Sequence, residues 1–247
     1  MKKEFEKLYH NLEKEHFWFK ARRSYILQIA SKLPKDISIL DIGCSSGVLL
    51  NELKNSGFHE KNLYGVDISQ SAIKNCIESG VKNAFVMDGQ EVVLNKKIDV
   101  IIASDCLEHI REDAKALENW YGLLKDNGLL VVFVPAFKML WSEHDEVNMH
   151  FRRYTRRELR EKLLKAGFSV ARASYWNFFL FLPVLLVRMS SRIFNKKRKR
   201  ENTGDLQSVG RANGMLYTML LAENVILNYL NFPFGVSVFC LGKKQKR

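Results

Sequence analysis

Ser38-Ile39-Leu40-Asp41-Ile42-Gly43-Cys44-Ser45-Ser46-Gly47 decides the architecture, read together with Leu63-Tyr64-Gly65-Val66-Asp67 downstream. Ser38–Leu40 reads as a short buried strand ending at an acidic residue, and Gly43 and Gly47 permit a turn where a Cβ would clash. Val48–Ser56 reads as a helix that Gly57 can stop. Leu63–Val66 is a second strand, and its terminal Asp67 stands twenty residues after Gly47.

Working outward, strands and helices alternate. Ser69 is a natural N-cap for a helix to about Ser79. Ala84–Val86 is a third strand, Asp99–Ala103 a fourth, and Asp113–Leu124 the helix after it. Asp126-Asn127-Gly128 is expected to turn the chain into the apolar run Leu129–Val134. Thr155 and Glu158 form a capping-box pattern at the head of a helix to Ala166. Phe168–Ala173 reads as the sixth strand and Gly235–Leu241 as the last. Continuous apolar strands alternating with helices predict a parallel sheet covered on both faces. The N-terminal residues 4–31 look helical, with Phe5, Leu8, Leu12 and Phe19 among charges. The knot His16-Phe17-Trp18-Phe19 reads as core packing or as a lid over a ligand.

Composition bounds the class. The chain has 247 residues, 47% hydrophobic and 27% charged, an ordinary folded protein with room for one substantial core. Cys44, Cys76, Cys106 and Cys240 are widely spaced without a C-x-x-C pair, so neither a disulfide framework nor a metal site is expected. The N-terminus has no apolar h-region, so no secretory signal is expected and the cytoplasmic side is the expected compartment. Of the net charge of +12, residues 171–247 carry 13 Lys/Arg against 3 Asp/Glu, a net of +10. The basic excess belongs to the last third, as a solvated tail or as a surface for an anionic partner.

A strand ending in an acidic residue, a glycine turn and a helix make a nucleotide-binding arrangement, and Asp67 can accept hydrogen bonds from both hydroxyls of a ribose. Dinucleotide sites want G-x-G-x-x-G with a pyrophosphate at the helix N-terminus. Here the spacing is Gly43-x-x-x-Gly47, and Asp41 places negative charge beside the loop. That charge opposes a pyrophosphate and suits a cationic amino-acid ligand, so the dehydrogenase reading loses.

Ile39–Gly47 resembles the first motif of the class I S-adenosylmethionine-dependent methyltransferases. Leu63–Ser69 resembles their second, Met87-Asp88-Gly89 their third, Asp99–Ile110 their fourth, and Leu123–Pro135 the strand that closes the parallel set. The resemblance implies an α/β, Rossmann-like seven-stranded sheet, mostly parallel with the last strand antiparallel and helices on both faces. It also implies S-adenosyl-L-methionine as cofactor, with S-adenosyl-L-homocysteine as product. By that resemblance Asp41, Gly43, Cys44, Ser45 and Gly47 hold the methionine portion, Asp67 the ribose and Asp88 the adenine amino group, with Ile68 and Gly89 also in the cofactor site. Ser104 lines the methionine side. Arg22 resembles an arginine that contacts the cofactor carboxylate in quinone-type relatives, a bidentate geometry that suits guanidinium. Ser45 departs from the usual middle glycine and tolerates fewer backbone conformations.

For the acceptor, His109, His144 and His150 are the candidate bases, with Asp145 or Glu108 as orienting partners. Trp141–Tyr154 resembles a W-x-x-x-D-x-x-x-x-H-x-R-R-Y pattern of bacterial methyltransferases found beside glycan and lipid biosynthesis enzymes. It reads as a substrate-facing loop or as a connector whose arginines pair with carboxylates. Three units are expected: a helical lid over 1–34, the methyltransferase core over 35–176 and 234–247, and an insertion over 177–233. In the insertion the apolar run Tyr175–Val187 is too short to span a bilayer. Arg188, Arg192 and Lys196–Arg200 come after it, which suits peripheral docking of residues 175–200 on the inner face of a membrane. The expected reaction is methyl transfer, at oxygen, to a small-molecule or lipid-linked acceptor. An RNA methyltransferase and a non-catalytic cofactor-binding regulatory protein are the alternatives. Nucleic acid is disfavoured because Ser104-Asp105-Cys106-Leu107 stands where many amino-directed enzymes carry D/N-P-P-Y/F.

Overall fold

The structure, a computed structural model, describes His10, residues 12–194, Gly210 and residues 212–246. Seven strands form one sheet: β1 (Ile39–Ile42), β2 (Leu63–Asp67), β3 (Ala84–Val86), β4 (Ile98–Ser104), β5 (Leu124–Pro135), β6 (Ser169–Trp176) and β7 (Ser237–Lys243). Their order is β3-β2-β1-β4-β5-β7-β6. The first five pair in parallel, whereas β7 is antiparallel to both β5 and β6. All four residues of β1 are buried, as a strand flanked on both sides requires.

The α-helices around the sheet are α1 (Phe17–Ala30), α2 (Val48–Asn55), α3 (Gln70–Glu78), α4 (Asp113–Leu123), α5 (Glu143–Val147), α6 (Arg156–Lys165), α7 (Phe181–Phe194) and α8 (Ala212–Leu227). The caps read from sequence are formed. Ser69 accepts the Ala72 amide, and Thr155 and Glu158 close a reciprocal capping box on α6.

Three expectations change. The N-terminal helix does not run unbroken over 4–31: the chain turns at residues 14–15, and α1 restarts with His16 as N-cap, its imidazole accepting the Trp18 amide. Phe5 and Leu8 lie outside the described residues. Asp126-Asn127-Gly128 is not a turn before β5 but an irregularity within it. Asn127 takes φ +62°, the register to β4 shifts there, and the strand re-pairs through Asn127 N–H to Lys244 O at 3.0 Å.

The run Tyr175–Val187 is not one surface either. Tyr175 and Trp176 end β6 inside the core, Phe178 stacks between Phe232 and Phe234, and the outward-facing side chains are Phe179 and, on α7, Leu182, Leu186 and Val187. The basic run Lys196–Arg200 lies outside the described residues. No described helix is long and apolar enough to cross a membrane.

Residues 177–233 are tied into the body by α8, which packs on α1. Asn224 Nδ2 donates to Ala21 O and its Oδ1 accepts Trp176 Nε1–H, both at 2.8 Å. Asn213 accepts the Phe17 amide and donates to Glu15 O, each at 2.9 Å. Beside Asn224, the fully buried Glu223 carboxylate accepts the amides of Asn177, Phe178 (2.9 Å) and Phe179 (3.2 Å) as the chain leaves β6. Burial pushes its pKa up, and the three donors pull against that. Glu223→Ala strands those amides, and should lower stability by about 3 kcal/mol in urea unfolding, with Glu223→Gln costing less because one acceptor oxygen remains.

Candidate active site

In open parallel sheets, ligands bind outside the carboxyl ends of the strands where the order reverses, here between β1 and β4. A cavity of about 920 Å³ opens at that edge. One half is walled by Gly43, Ser45, Asp67, Ile68, Asp88, Gly89 and Ser104, the other by His109, His144, His150, Arg153 and the first turns of α7. Phe17, Trp18 and Phe19 line it too, while Phe17 and Phe19 are also buried in core clusters. The aromatic knot therefore serves both as packing and as a wall.

The glycine loop is shaped by its ends. Gly43 and Gly47 take φ near +79° and +78°, and a Cβ on Gly47 would come within 2.5 Å of Cys76 Sγ. Between them Ser45 also sits in the left-handed region, at φ +49°, and its amide donates to Asp67 Oδ2 at 3.1 Å. Asp67 Oδ1 accepts the Ser69 amide at 2.9 Å, and Asp88 Oδ1 accepts that of Gln90 at 2.8 Å. Ile68 presents an exposed side chain to the cavity.

Four of the predicted cofactor residues, Arg22, Asp41, Cys44 and Gly47, stand behind the wall rather than on it. Asp41 is buried under the loop and its pKa is pushed up to about 8, chiefly by burial, then by the nearby charges of Glu13 and Asp67. Arg22 is 2% exposed, lies against the rings of Trp18 and Trp176, and is ion-paired with Asp105. Asp105, at φ +53° just after Ser104, lines the cavity and was not singled out from sequence.

The histidine half is organised by one buried carboxylate. Asp145 is fully buried: Oδ1 accepts His150 Nδ1–H at 2.9 Å and Arg153 Nε–H at 2.7 Å, and Oδ2 accepts Arg153 Nη2–H at 3.0 Å. Burial opposes its ionisation, yet these donors outweigh it and hold the carboxyl well below the usual carboxylate range. Because a carboxylate only accepts, His150 Nδ1 is the donor in that pair, and in the neutral imidazole Nε2 is then the acceptor. His109 stands edge-on to His150, ring centroids 4.6 Å apart, and its pKa is pushed down to about 3 by burial and then by His150. His144 lies farther off, 6.1 Å from His150.

Glu108 is fully buried beside them, with no hydrogen-bond partner on either oxygen among the described residues. Burial and then Asp105 push its carboxyl well above the ordinary range. Ligand atoms of Glu108, His109 and His150 lie within 4.8 Å of one another, close enough for one divalent ion to span. Sequence spacing hides that grouping, since His150 reaches the others only through the fold. Both readings of Trp141–Tyr154 hold in part. Its arginines pair with carboxylates, Arg153 with Asp145 and Arg152 with Asp113 (2.9 Å), while its histidines face the cavity.

The cofactor half carries carboxylates and no Lys or Arg among its described lining residues, a fit for a cationic ligand. A glycine cradle at the strand-order reversal and an acidic residue ending β2 define a class I S-adenosylmethionine-dependent methyltransferase. Residues 14–173 match the family model of the methyltransferase domain, and the chain belongs to that family.

Curated relatives include the ubiquinone biosynthesis O-methyltransferase of Rickettsia felis, 30% identical over 45% of this chain and 48% of that protein. That of Rickettsia canadensis is 29% identical over 52% and 59%. The chain thus spans about half the length of the curated relatives it matches. Among solved structures, the fold resembles the putative methyltransferase bound to the Trm112 activator of Haloferax volcanii, with TM-score 0.62, 14% identity, and 96% and 93% of the two chains covered. It also resembles phosphoethanolamine N-methyltransferase 2 of Haemonchus contortus with S-adenosyl-L-methionine, with TM-score 0.61, 18% identity, and 91% and 52% covered.

The Asp41 environment has a pH signature. Its folded pKa of about 8 exceeds the ordinary 3.8, so the folded chain retains a proton that the unfolded chain has released. Stability from this group is full below about 3.8 and lost as pH rises towards about 8. Asp41→Asn is expected to flatten that decline in urea midpoints measured from pH 5 to 8.

Proposed function

We propose that this chain transfers the methyl group of S-adenosyl-L-methionine to a hydroxyl oxygen of a small-molecule or lipid-linked acceptor, with His150 as the proton acceptor. The observation that carries the reading is the Asp145–His150 pair, set in the same cavity as the glycine loop. The cofactor supplies an activated sulfonium methyl group, so the protein has to align, exclude water and manage one proton.

In this reading Asp67 takes the ribose hydroxyls, Asp88 the adenine amino group, and Ile68 and Gly89 flank the base. Gly43, Ser45 and Ser104 lie along the methionine portion. Asp41, Cys44 and Gly47 shape the loop from behind. Arg22, paired with Asp105, acts by fixing that acidic side chain at the cavity wall. Asp145 keeps His150 in the tautomer whose Nε2 can take the acceptor's proton, as a buried carboxylate does for a catalytic imidazole. His109, held neutral at neutral pH, shapes the pocket beside it. Arg153 locks the orienting carboxylate.

An apolar acceptor is favoured by the aromatic and aliphatic wall of Phe17, Trp18, Pro183, Val184 and Val187. Val187 is also on the outward face of α7, with Leu182 and Leu186, so the cavity mouth adjoins exposed apolar surface. Arg188 and, in sequence, Lys196–Arg200 add positive charge, which suits docking on an anionic lipid surface.

Methyl-labelled cofactor incubated with a lipid and metabolite extract is expected to label a hydroxyl-bearing acceptor. His150→Gln should lower kcat on it about 10²-fold or more with little change in cofactor affinity. Transfer of label to bulk RNA would overturn the acceptor class, and cofactor binding with no transfer to any extract would favour a regulatory binder. In vesicle flotation, Leu186→Asp with Val187→Asp should reduce recovery with anionic vesicles several-fold, about 0.8 kcal/mol being lost per CH₂ kept from the lipid. Undiminished recovery contradicts the docking.

A further inference from the structure

The loop residue that departs from the family pattern, Ser45, is held by a side chain from outside the sheet. Glu13 precedes α1, yet its carboxylate is buried against the glycine loop, where Oε2 accepts the hydroxyls of Ser45 (3.0 Å) and Ser46 (2.7 Å). Its own backbone is anchored in turn. Arg23 donates Nη1–H to Glu13 O at 2.5 Å and Nη2–H to Lys14 O at 3.2 Å, while its Nε–H reaches Glu52 on α2 at 3.0 Å. A few residues earlier, His10 contacts Asn75 of α3 at 3.1 Å. The N-terminal segment is thus tied to both helices that flank the loop.

A left-handed conformation disfavours any residue with a Cβ, so Ser45 needs support that glycine would not. At Ser45 that conformation is what turns the amide onto Asp67 Oδ2. A hydroxyl also offers what glycine lacks, a donor for Glu13. The serine and the buried carboxylate therefore form one unit, in which the side chain that strains the loop is also the handle that holds it.

We propose that Glu13 is a positioning residue for cofactor binding: it latches the N-terminal segment to Ser45 and Ser46 and holds the loop in the geometry that presents Asp67. The proposal rests on the reading of Asp67 and the loop as the cofactor site. In this arrangement the loop is in register only while the segment is docked, so cofactor affinity depends on residues that precede α1 and stand behind the cavity wall.

Calorimetric titration of the full chain with S-adenosyl-L-methionine tests this. Glu13→Ala is expected to weaken binding about tenfold, the worth of two hydrogen bonds, and to raise the cofactor KM far more than it lowers kcat. Glu13→Gln, whose amide oxygen still accepts both hydroxyls, should stay within about threefold of the parent. The decisive arm is the double variant: in a Ser45→Gly background, where the loop needs no latch, Glu13→Ala should cost less than about threefold. Full affinity in Glu13→Ala overturns the proposal. So does an equal loss in Glu13→Gln, which would make the negative charge the cause, or an undiminished loss in the glycine background, which would make the segment a mere structural support. If Glu13→Ala does not fold, as read by circular dichroism, Ser46→Ala decides the same point: a latch requires weaker binding than the parent while Ser45 is present and no loss in the Ser45→Gly background, and unchanged binding overturns the proposal. Unchanged binding in Asp67→Ala would instead overturn the underlying assignment of the site.

Discussion

The flanking of β1 by parallel strands on both sides constrains the rest of the molecule. A parallel strand needs a crossover before its neighbour, and here crossovers leave β1 towards β2 while β4 returns on the other side. The connections after β1 and β4 therefore diverge, and a cleft opens at their carboxyl ends. Asp67 and Ser104 end strands of that parallel set, Asp105 comes just after one, and Asp41 sits one residue before the end of β1. The buried, four-residue β1 has no other place to send its chain than into the glycine turn.

Charge then divides the cleft. Under the loop, Asp41 is buried beside the carboxyl groups of Glu13 and Asp67, which raises its pKa to about 8, while the acidic side chains that face the cavity are Asp67, Asp88 and Asp105. Across the cavity the balance is opposite: Asp145 is equally buried but meets Arg153 and His150, and stays ionised. Burial pushes both carboxyl groups up, and only at Asp145 do the neighbouring donors reverse it. Asp113 repeats the second pattern outside the cavity, where Arg152, Lys162 and the Tyr154 hydroxyl converge on it. Asp145 and Asp113 between them secure the connection from β5 to α6, so a stretch dense in charge becomes a rigid wall.

The later part of the chain closes the site from the other direction. Asn224 joins α8 to α1 and to the end of β6 through two hydrogen bonds, and Glu223 collects the amides just beyond β6. Those links hold α1, and with it Phe17, Trp18 and the Glu13 turn, over the cavity. Residues far apart in sequence thereby share one wall: the start of the chain, the β5–α6 connection and the first turns of α7.

Local rules were enough for much of this. Strand–turn–helix order, the caps at Ser69 and Thr155 and the glycine turn are short-range features, so the loop from Gly43 to Gly47 and the strand end at Asp67 could be read directly, and the parallel strands with them, whereas the antiparallel last strand came only with the family resemblance. The break at His16 and the irregularity at Asn127 could not, because each depends on a partner elsewhere in the fold. The same holds for the split of Tyr175–Val187, where alternation is masked by an apolar run and only packing separates core from surface. The cofactor edge is determined by the sequence alone, since a parallel βαβ unit has one place for its ligand. Which histidine Asp145 orients, what occupies Arg22, and the latch from Glu13 to Ser45 were decided only by the tertiary structure. Buried hydrogen bonds and ion pairs join residues by distance in space, and no spacing along the chain encodes that distance.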